Sequence, residues 1–436
     1  MQRDVLSNEQ QIVLEKFTNG ENIFITGPGG VGKTFLIKKL YETAIFNSKN
    51  VSVCALTGCA AVLLGCNAKT VNSWAGVGLL NKSIDEIIDN INKNKKKKKI
   101  WKKIDVLIID EVSMMSKKMF MILNLIGQRI RGILAPFGGI QLVFSGDFYQ
   151  LPPVGDDDDE DSQKFCFESP LWNETFNNQI VLKTNYRQND ELFKKILNGI
   201  RIGKLSKTSY QTLLSRVGKE TSLTVTPPIL YPRKESVNSI NNRELGKLDG
   251  DMVKYECICV KELAANNDEI IKSRQYNDSQ KQQEYEYLKK NIMPGDKVIL
   301  KKGSNVMCII NLDMESSICN GSQGTVVDFV NGQPVVYFNN GIKRVISNHI
   351  WKSENIPDIG VSQIPLILSW AITIHKAQGL TLDSAILDIG NDIFECGQSY
   401  VALSRIKSIE GVYLKSFTLN KIKINKKVMD FYNNLK

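Results

Sequence analysis

The sharpest chemical signal in the chain is Gly27-Pro28-Gly29-Gly30-Val31-Gly32-Lys33-Thr34, which fits G-x-x-x-x-G-K-[ST] in full. Glycines there let backbone N–H groups turn inward around phosphate oxygens, and a helix opening at the same point adds partial positive charge. Lys33 is then placed to reach the β- and γ-phosphates, and the Thr34 hydroxyl to ligate Mg²⁺. The motif implies a nucleoside triphosphate site, against the bland reading of a Gly-rich turn. Asp110-Glu111 closes a later apolar run. One carboxylate at a strand tip can hold Mg²⁺ and the next can polarise an attacking water. Gln150, in GDFYQLPPV, ends the following apolar run and is either a γ-phosphate sensor or a turn residue before Pro152-Pro153.

These groups need a scaffold that brings strand tips to one edge. Short apolar runs bounded by turn residues occur at 22–27, 51–58, 106–111 and 140–147. Amphipathic stretches such as Phe35–Phe46 and Lys117–Ile130 lie between them. That alternation predicts an α/β unit over residues 1–180, with a doubly wound parallel sheet and ligands at the carboxyl ends of its strands. Lys95–Lys99 and the acidic run Asp156–Asp161 interrupt it and read as solvated, self-repelling loops. A helical pattern (ELFKKILNGIRIGKL) and a strand candidate (TPPILYP) open a second α/β unit at 181–250, which resumes over 355–436. Between them, 251–354 changes texture. A polar insert at 266–290 precedes runs with β alternation and Gly/Asn turns, which predict a small antiparallel barrel inserted in the second unit.

Composition narrows the class. Hydrophobic residues are 42 % and charged residues 23 %, a globular balance, and 436 residues suffice for two to four domains. The longest mostly apolar stretch, Ile364–Ile374, is too short and too polar to span a bilayer, so no membrane role is expected. The opening MQRDVLSNEQ carries Asp4 and Glu9 without an apolar core and reads as neither secretory signal nor transit peptide. Nine cysteines without a C-x-x-C pair and two histidines argue against structural zinc and for a reducing compartment. The expected setting is soluble and intracellular: nucleus, cytoplasm or a virus-infected cell. A net charge of +10 suits a polyanionic partner.

With these residues in place, the chain resembles the Pif-type (petite integration frequency) superfamily 1 DNA helicases over nearly its whole length. The carriers are LSNEQ, GPGGVGKT, ALTGCAA, TVNSWAGVG, LIIDEVSMM, PFGGIQLVFSGDFYQLPPV, NYRQ, CNGSQGTV, WAITIHKAQGLTLD and YVALSR, in that order. The resemblance implies two RecA-like P-loop domains, an SH3-like β-barrel inserted in the second, and a small wedge element near 62–80. It implies that Lys33, Asp110, Glu111, Gln150, Arg187 and Arg405 serve ATP hydrolysis, the two arginines reaching across a cleft to the γ-phosphate. Nucleotide contacts fall on Gln10, Gly27, Gly29, Gly30, Val31, Gly32, Lys33, Thr34 and Phe35, with Gln378 and Gly379 on the facing wall. Mg²⁺ falls to Thr34 and Asp110. Gln10 has a second reading, because Ser7-x-x-Gln10 is also a capping box, and the two are compatible.

Thr57, Ser73, Trp74, Thr373, His375 and Lys376 match positions that in the family track single-stranded DNA. Trp74 would offer a stacking face, its alternative being a core aromatic; for His375 the alternative is a core imidazole. Asn72 and Ala377 depart from the family's usual His and Ser. Arg201-x-Gly203 also matches and reads as scaffold. The implied protein is a monomeric ATP- and Mg²⁺-dependent helicase. It would move 5′ to 3′ on single-stranded DNA and open single-strand/duplex junctions in replication, repair, recombination or telomere and genome maintenance. The alternatives are a RecD-like or RNA-acting helicase, a translocase that does not unwind, and a nucleic-acid-binding module merely gated by nucleotide.

Overall fold

The computed structural model describes residues 6–78, 80, 83–156, 158–220, 226–231, 233–264, 267–313, 316, 318, 320–353, 356–378, 380–390, 393 and 395–435. The side chains at 59, 62, 234, 267, 268, 272, 375 and 376 lie outside that description. Near-continuous apolar runs become strands buried on both faces, as parallel sheets covered by helices require. The first sheet comprises β1 (Ile23–Thr26), β2 (Val51–Ala55), β3 (Lys69–Thr70), β4 (Val106–Asp110), β5 (Gln141–Ser145) and β6 (Asn178–Val181). Its order is β3-β2-β4-β5-β1-β6 and every pair is parallel. Because β1 lies between β5 and β6, with β4 beyond β5, the residues after β1, β4 and β5 emerge on one edge.

Helices cover this sheet where the spacing predicted them. The helix Lys117–Arg131 starts on the Ser116 hydroxyl, which accepts from the Met119 N–H, and stops at Gly132 in the left-handed conformation. It buries Phe120, Leu123 and Ile126 completely, each worth about 1.5–3 kcal/mol relative to exposure. Phe120, Phe137, Phe144, Trp172 and Phe176 interlock edge-to-face or tilted behind the sheet.

The chain next makes β7 (Ile229–Tyr231) and then leaves the parallel pattern. The strands that follow are β8 (Val253–Glu256), β9 (Ile258–Val260), β10 (Lys297–Leu300), β11 (Asn305–Cys308), β12 (Gln323–Val330), β13 (Gln333–Phe338), β14 (Lys343–Val345), β15 (His349–Lys352), β16 (Gly360–Gln363) and β17 (Leu366–Leu368). The parallel pattern returns with β18 (Ala371–Thr373), β19 (Ala385–Ile389) and β20 (Val412–Phe417), and the second sheet has the order β18-β7-β19-β20. Since β7 and β18 are neighbours, everything between them is an insertion into one α/β sheet.

The insertion does not close into a barrel among the described residues. It forms a five-stranded antiparallel sheet, β14-β13-β12-β11-β17, with separate sheets β10-β8 and β15-β16-β9. The expected barrel is thus corrected to open sheets, and β17 carries the antiparallel pattern beyond residue 354. Within 266–290 the structure forms two helices, Asn267–Arg274 and Asp278–Asn291.

Both charge runs also depart from the expected solvated loops. Lys95–Lys103 is a helix started by the Asn94 side chain, and its apolar side seats Trp101 in the core. In the acidic run, Asp159 pairs with Lys118 at 2.6 Å and Asp161 with Lys117 at 3.1 Å, against the start of the Lys117–Arg131 helix. The acidic run is offset by Lys117 and Lys118, whereas in the lysine run Lys95, Lys96 and Lys99 stay exposed to solvent and Lys97 donates to backbone carbonyls.

Candidate nucleotide site and strand interface

The phosphate loop leaves β1 at Thr26 and enters the helix Lys33–Phe46 at Gly32, a left-handed N-cap without a side-chain cap. The helix's first N–H groups therefore stay turned into the loop. Two glycines are sterically required. A Cβ at Gly27 would lie 2.4 Å from the Leu182 carbonyl oxygen, and one at Gly30, where φ is +89°, would lie 2.6 Å from Arg187 Cβ. Lys33 Nζ folds over the loop and donates to the carbonyls of Gly27 at 2.7 Å and Pro28 at 3.1 Å. Burial lowers its pKa, while Asp147, Glu111 and Asp110 oppose that shift. Val31 is buried, whereas Phe35 stands 40 % exposed on the helix.

Asp110 ends β4 and is 6 % exposed. Burial and the adjoining Glu111 charge push its carboxyl up to about 7, with Ser145 and Lys33 acting the other way. Glu111 holds a left-handed backbone (φ 58°), costly for a non-glycine residue, which turns its side chain out of the strand. Gln378 Nε2 donates to Glu111 Oε2 at 2.9 Å, so a residue following β18 reaches a carboxylate following β4. Gln150 is 5 % exposed, and its Oε1 has no hydrogen-bond partner among the described residues.

Arg187 and Arg405 converge on the loop. A Cβ built at Gly29 would find Arg405 Nη2 at 3.2 Å and Arg187 Nη1 at 3.5 Å. Arg187 Nη1 donates to the Ser404 carbonyl at 3.0 Å, Arg405 Nε to the Val401 carbonyl at 3.1 Å and Arg405 Nη2 to Ser404 Oγ at 3.0 Å. Burial and the Arg405 charge pull Arg187 down to about 9, still cationic at neutral pH. Burial likewise lowers Arg405. Neither arginine forms an ion pair among the described residues. Two desolvated cations beside a phosphate loop make a site that favours an anion. The loop is fastened from the same side: Gly29 N–H donates to the Tyr400 hydroxyl at 2.9 Å and Tyr186 N–H to the Gly30 carbonyl at 2.8 Å.

Gln10 forms the capping box and also borders the phosphate loop. Its Oε1 accepts from Ser7 N–H at 3.1 Å in a capping box, and its Nε2 lies 2.9 Å from where a Gly32 Cβ would sit. Its amide hydrogens and the second lone pair of Oε1 are left over from the capping box.

The expected strand contacts divide. Thr57 caps the helix Gly58–Leu64, and Ser73 lies half-buried on the short helix Val71–Ala75. Thr373 is 6 % exposed at the end of β18. His375 and Lys376 sit on the helix Ile374–Ala377, their side chains outside the description, and Gly379 is outside the described residues. Trp74 is corrected. It is 2 % exposed, and its ring packs 4.6 Å from Trp101, so it presents no face to a base. Lys97, missed as a site neighbour because its run read as loop, donates to the carbonyls of Ser73 and Trp74.

This fold and loop define a phosphate-loop α/β protein with two parallel sheets meeting at the nucleotide site. Comparison with known proteins places it further. Residues 5–211 match the model of the PIF1-like helicases and residues 285–329 that of the DNA helicase Pif1 2B domain. The chain is 34 % identical to the ATP-dependent DNA helicase Pif1 of Bdellovibrio bacteriovorus, over 98 % of this chain and 91 % of that one. It superposes on Bacteroides Pif1 in complex with ADP-AlF4 with a TM-score of 0.79 at 26 % identity, covering 98 % and 96 % of the two chains. A Bacteroides Pif1 in complex with ADP-AlF3 and single-stranded DNA gives 0.64 at 27 %, covering 98 % and 97 %. The chain belongs to the PIF1-like helicase family. It spans 64 % and 63 % of the length of the PIF1 helicases of Xenopus laevis and Emericella nidulans, at 33 % identity to each. No helix among the described residues is long and apolar enough to cross a membrane.

Proposed function

We propose that this chain is an ATP-dependent DNA helicase. It hydrolyses ATP, steps 5′ to 3′ along single-stranded DNA as a monomer and opens the duplex ahead, in replication, repair, recombination or telomere and genome maintenance. The observation that carries the reading is the meeting of Arg187 and Arg405 at Gly29 without a carboxylate partner among the described residues. Guanidinium groups so placed stabilise charge that develops on a transferring phosphoryl group, and they reach it only when the two sheets' edges close.

The remaining roles follow from position. Lys33 contacts β- and γ-phosphate oxygens, Glu111 orients and deprotonates the attacking water, and Gln150 offers its unpartnered Oε1 to that water. Gln10 Nε2 faces the base. Thr34, first in its helix after Lys33, and the buried Asp110 carboxylate fit a hard cation, which prefers oxygen ligands. When bound, Mg²⁺ would neutralise phosphate charge. Thr57, Ser73 and Thr373, with His375 and Lys376, contact the strand's phosphates. The open antiparallel sheets act as a guide for strand or duplex.

Steady-state ATP turnover with and without single strands, DNA and RNA compared, tests this directly. DNA should stimulate turnover more than RNA. Turnover indifferent to strands would remove the helicase reading, and preference for RNA would transfer it to the RNA-acting alternative.

A further inference from the structure

The helix Lys426–Asn433 belongs to the second half of the chain yet is built into the first half's core. Phe431 stacks 4.4 Å from Phe167 and meets Phe148 at 5.3 Å and Phe24 at 6.1 Å, which fixes the helix on the aromatic cluster behind β1. Its neighbour Tyr432 is thereby held under the phosphate loop, its ring stacked 4.7 Å from Tyr149 and the Arg201 guanidinium 5.1 Å from its centroid.

The Tyr432 hydroxyl has three partners. It lies 2.6 Å from Thr26 Oγ1, accepts from Phe148 N–H at 3.1 Å and donates to Asp147 Oδ1 at 3.3 Å. A phenol has one hydrogen and two lone pairs, and a carboxylate only accepts. The set closes if Tyr432 donates to Asp147 while Thr26 and Phe148 donate to Tyr432. Arg201 holds the same carboxylate by both oxygens, Nη2 donating to Oδ1 at 2.8 Å and Nε to Oδ2 at 3.0 Å, and the Tyr149 N–H also donates to Oδ1 at 3.3 Å. Burial raises the phenol's pKa, so the donor stays protonated.

Both partners lead to Lys33. Thr26 is the residue before Gly27, whose carbonyl accepts from Lys33 Nζ, and Asp147 is the strongest of the carboxylate charges opposing that lysine's loss of its proton. We propose that Tyr432 is a positioning residue for phosphoryl transfer. Its hydroxyl fixes Thr26 and Asp147 beneath the phosphate loop and so sets where Lys33 points. The inference rests on reading residues 27–34 as the ATP site.

Tyr432→Phe in the full chain keeps the ring and its stacking while deleting the hydroxyl. Strand-stimulated kcat should fall about 3- to 10-fold, the scale of one buried hydrogen bond, with KM for ATP and strand affinity unchanged. Thr26→Val, which removes only the Thr26 bond, should give an equal or smaller fall, and the double variant no further fall than Tyr432→Phe, because that bond is already lost with the hydroxyl. An unchanged kcat, a raised KM with normal kcat, or additive falls in the double variant would each overturn it. Lys33→Ala, run beside them, separates the levels. If Lys33→Ala is as active as the parent, the ATP site itself is misassigned. If it is inactive while Tyr432→Phe turns over normally, only the role of Tyr432 is lost.

Discussion

Arg187 and Arg405 are expensive residues. Each guanidinium has been taken out of water without an ion-pair partner among the described residues; burial lowers the pKa of both, and the Arg405 charge lowers that of Arg187 further. An anion between them and Gly29 relieves that cost most when its charge is greatest. Arg405→Ala should therefore lower kcat about 10²- to 10⁴-fold while nucleotide affinity changes far less. Arg405→Lys should also fail, since a point-charge ammonium lacks the planar fork that bonds both Val401 and Ser404. A variant with normal kcat and raised KM would mark ground-state binding instead. A second residue-scale prediction concerns Asp147, completely buried against Arg201 at 2.8 Å. Burial raises its pKa, but the Arg201 charge and hydrogen bonds outweigh it, and the net shift is downward. Its stabilisation is therefore complete above the unfolded-state value and is lost as pH falls through the lower folded value. Denaturation midpoints followed from neutral to acid pH should drop more steeply for the parent than for Asp147→Asn. Arg201→Met should cost about 3–5 kcal/mol at neutral pH by leaving the carboxylate unpaired. Parallel pH profiles for parent and Asp147→Asn would refute the linkage.

At the scale of elements, much was legible and the reasons are specific. The strands β1, β2, β4 and β5 fall inside the apolar runs that marked them, because a strand covered on both faces admits few polar residues. The loop from Gly27 to Thr34 was legible because its glycines answer contacts as local as Leu182 O and Arg187 Cβ. Lys95–Lys103 was not. Five consecutive lysines mask a helix whose apolar signal is carried by Ile100 and Trp101, the latter buried against Trp74 and donating to the Ala75 carbonyl. Trp74 was misread for the same reason: its partner Trp101 sits on that unrecognised helix, so the ring looked available. Trp74→Ala should accordingly cost about 3–5 kcal/mol of stability, the range for a deleted core aromatic. Strand affinity of the folded fraction should stay at the parental value. A loss of affinity without a loss of stability, read by titration and denaturant melts of the same sample, would restore Trp74 to the strand interface.

Across the whole molecule, the contacts that no local pattern could announce are those closing distant segments on each other. Tyr432 reaches Thr26, Gln378 reaches Glu111, and Asn291 of the insertion fills the space where a Gly58 side chain would stand. Each joins the first sheet's edge to something far along the chain, and each touches the phosphate loop, its carboxylates or the segment that caps at Thr57. These contacts tie the segments that carry the nucleotide site to distant parts of the chain, and the Asn291 contact does so beside Thr57, one of the expected strand contacts. Direction of travel is the sharpest part of the proposed function, and charge or spacing alone does not set it. The deciding measurement is ATP- and Mg²⁺-dependent strand separation on two duplexes, one with only a 5′ single-stranded tail and one with only a 3′ tail. The 5′-tailed duplex should be unwound and the 3′-tailed duplex left intact. Unwinding confined to the 3′ tail, or strand-stimulated ATP hydrolysis that separates neither duplex, would contradict the account.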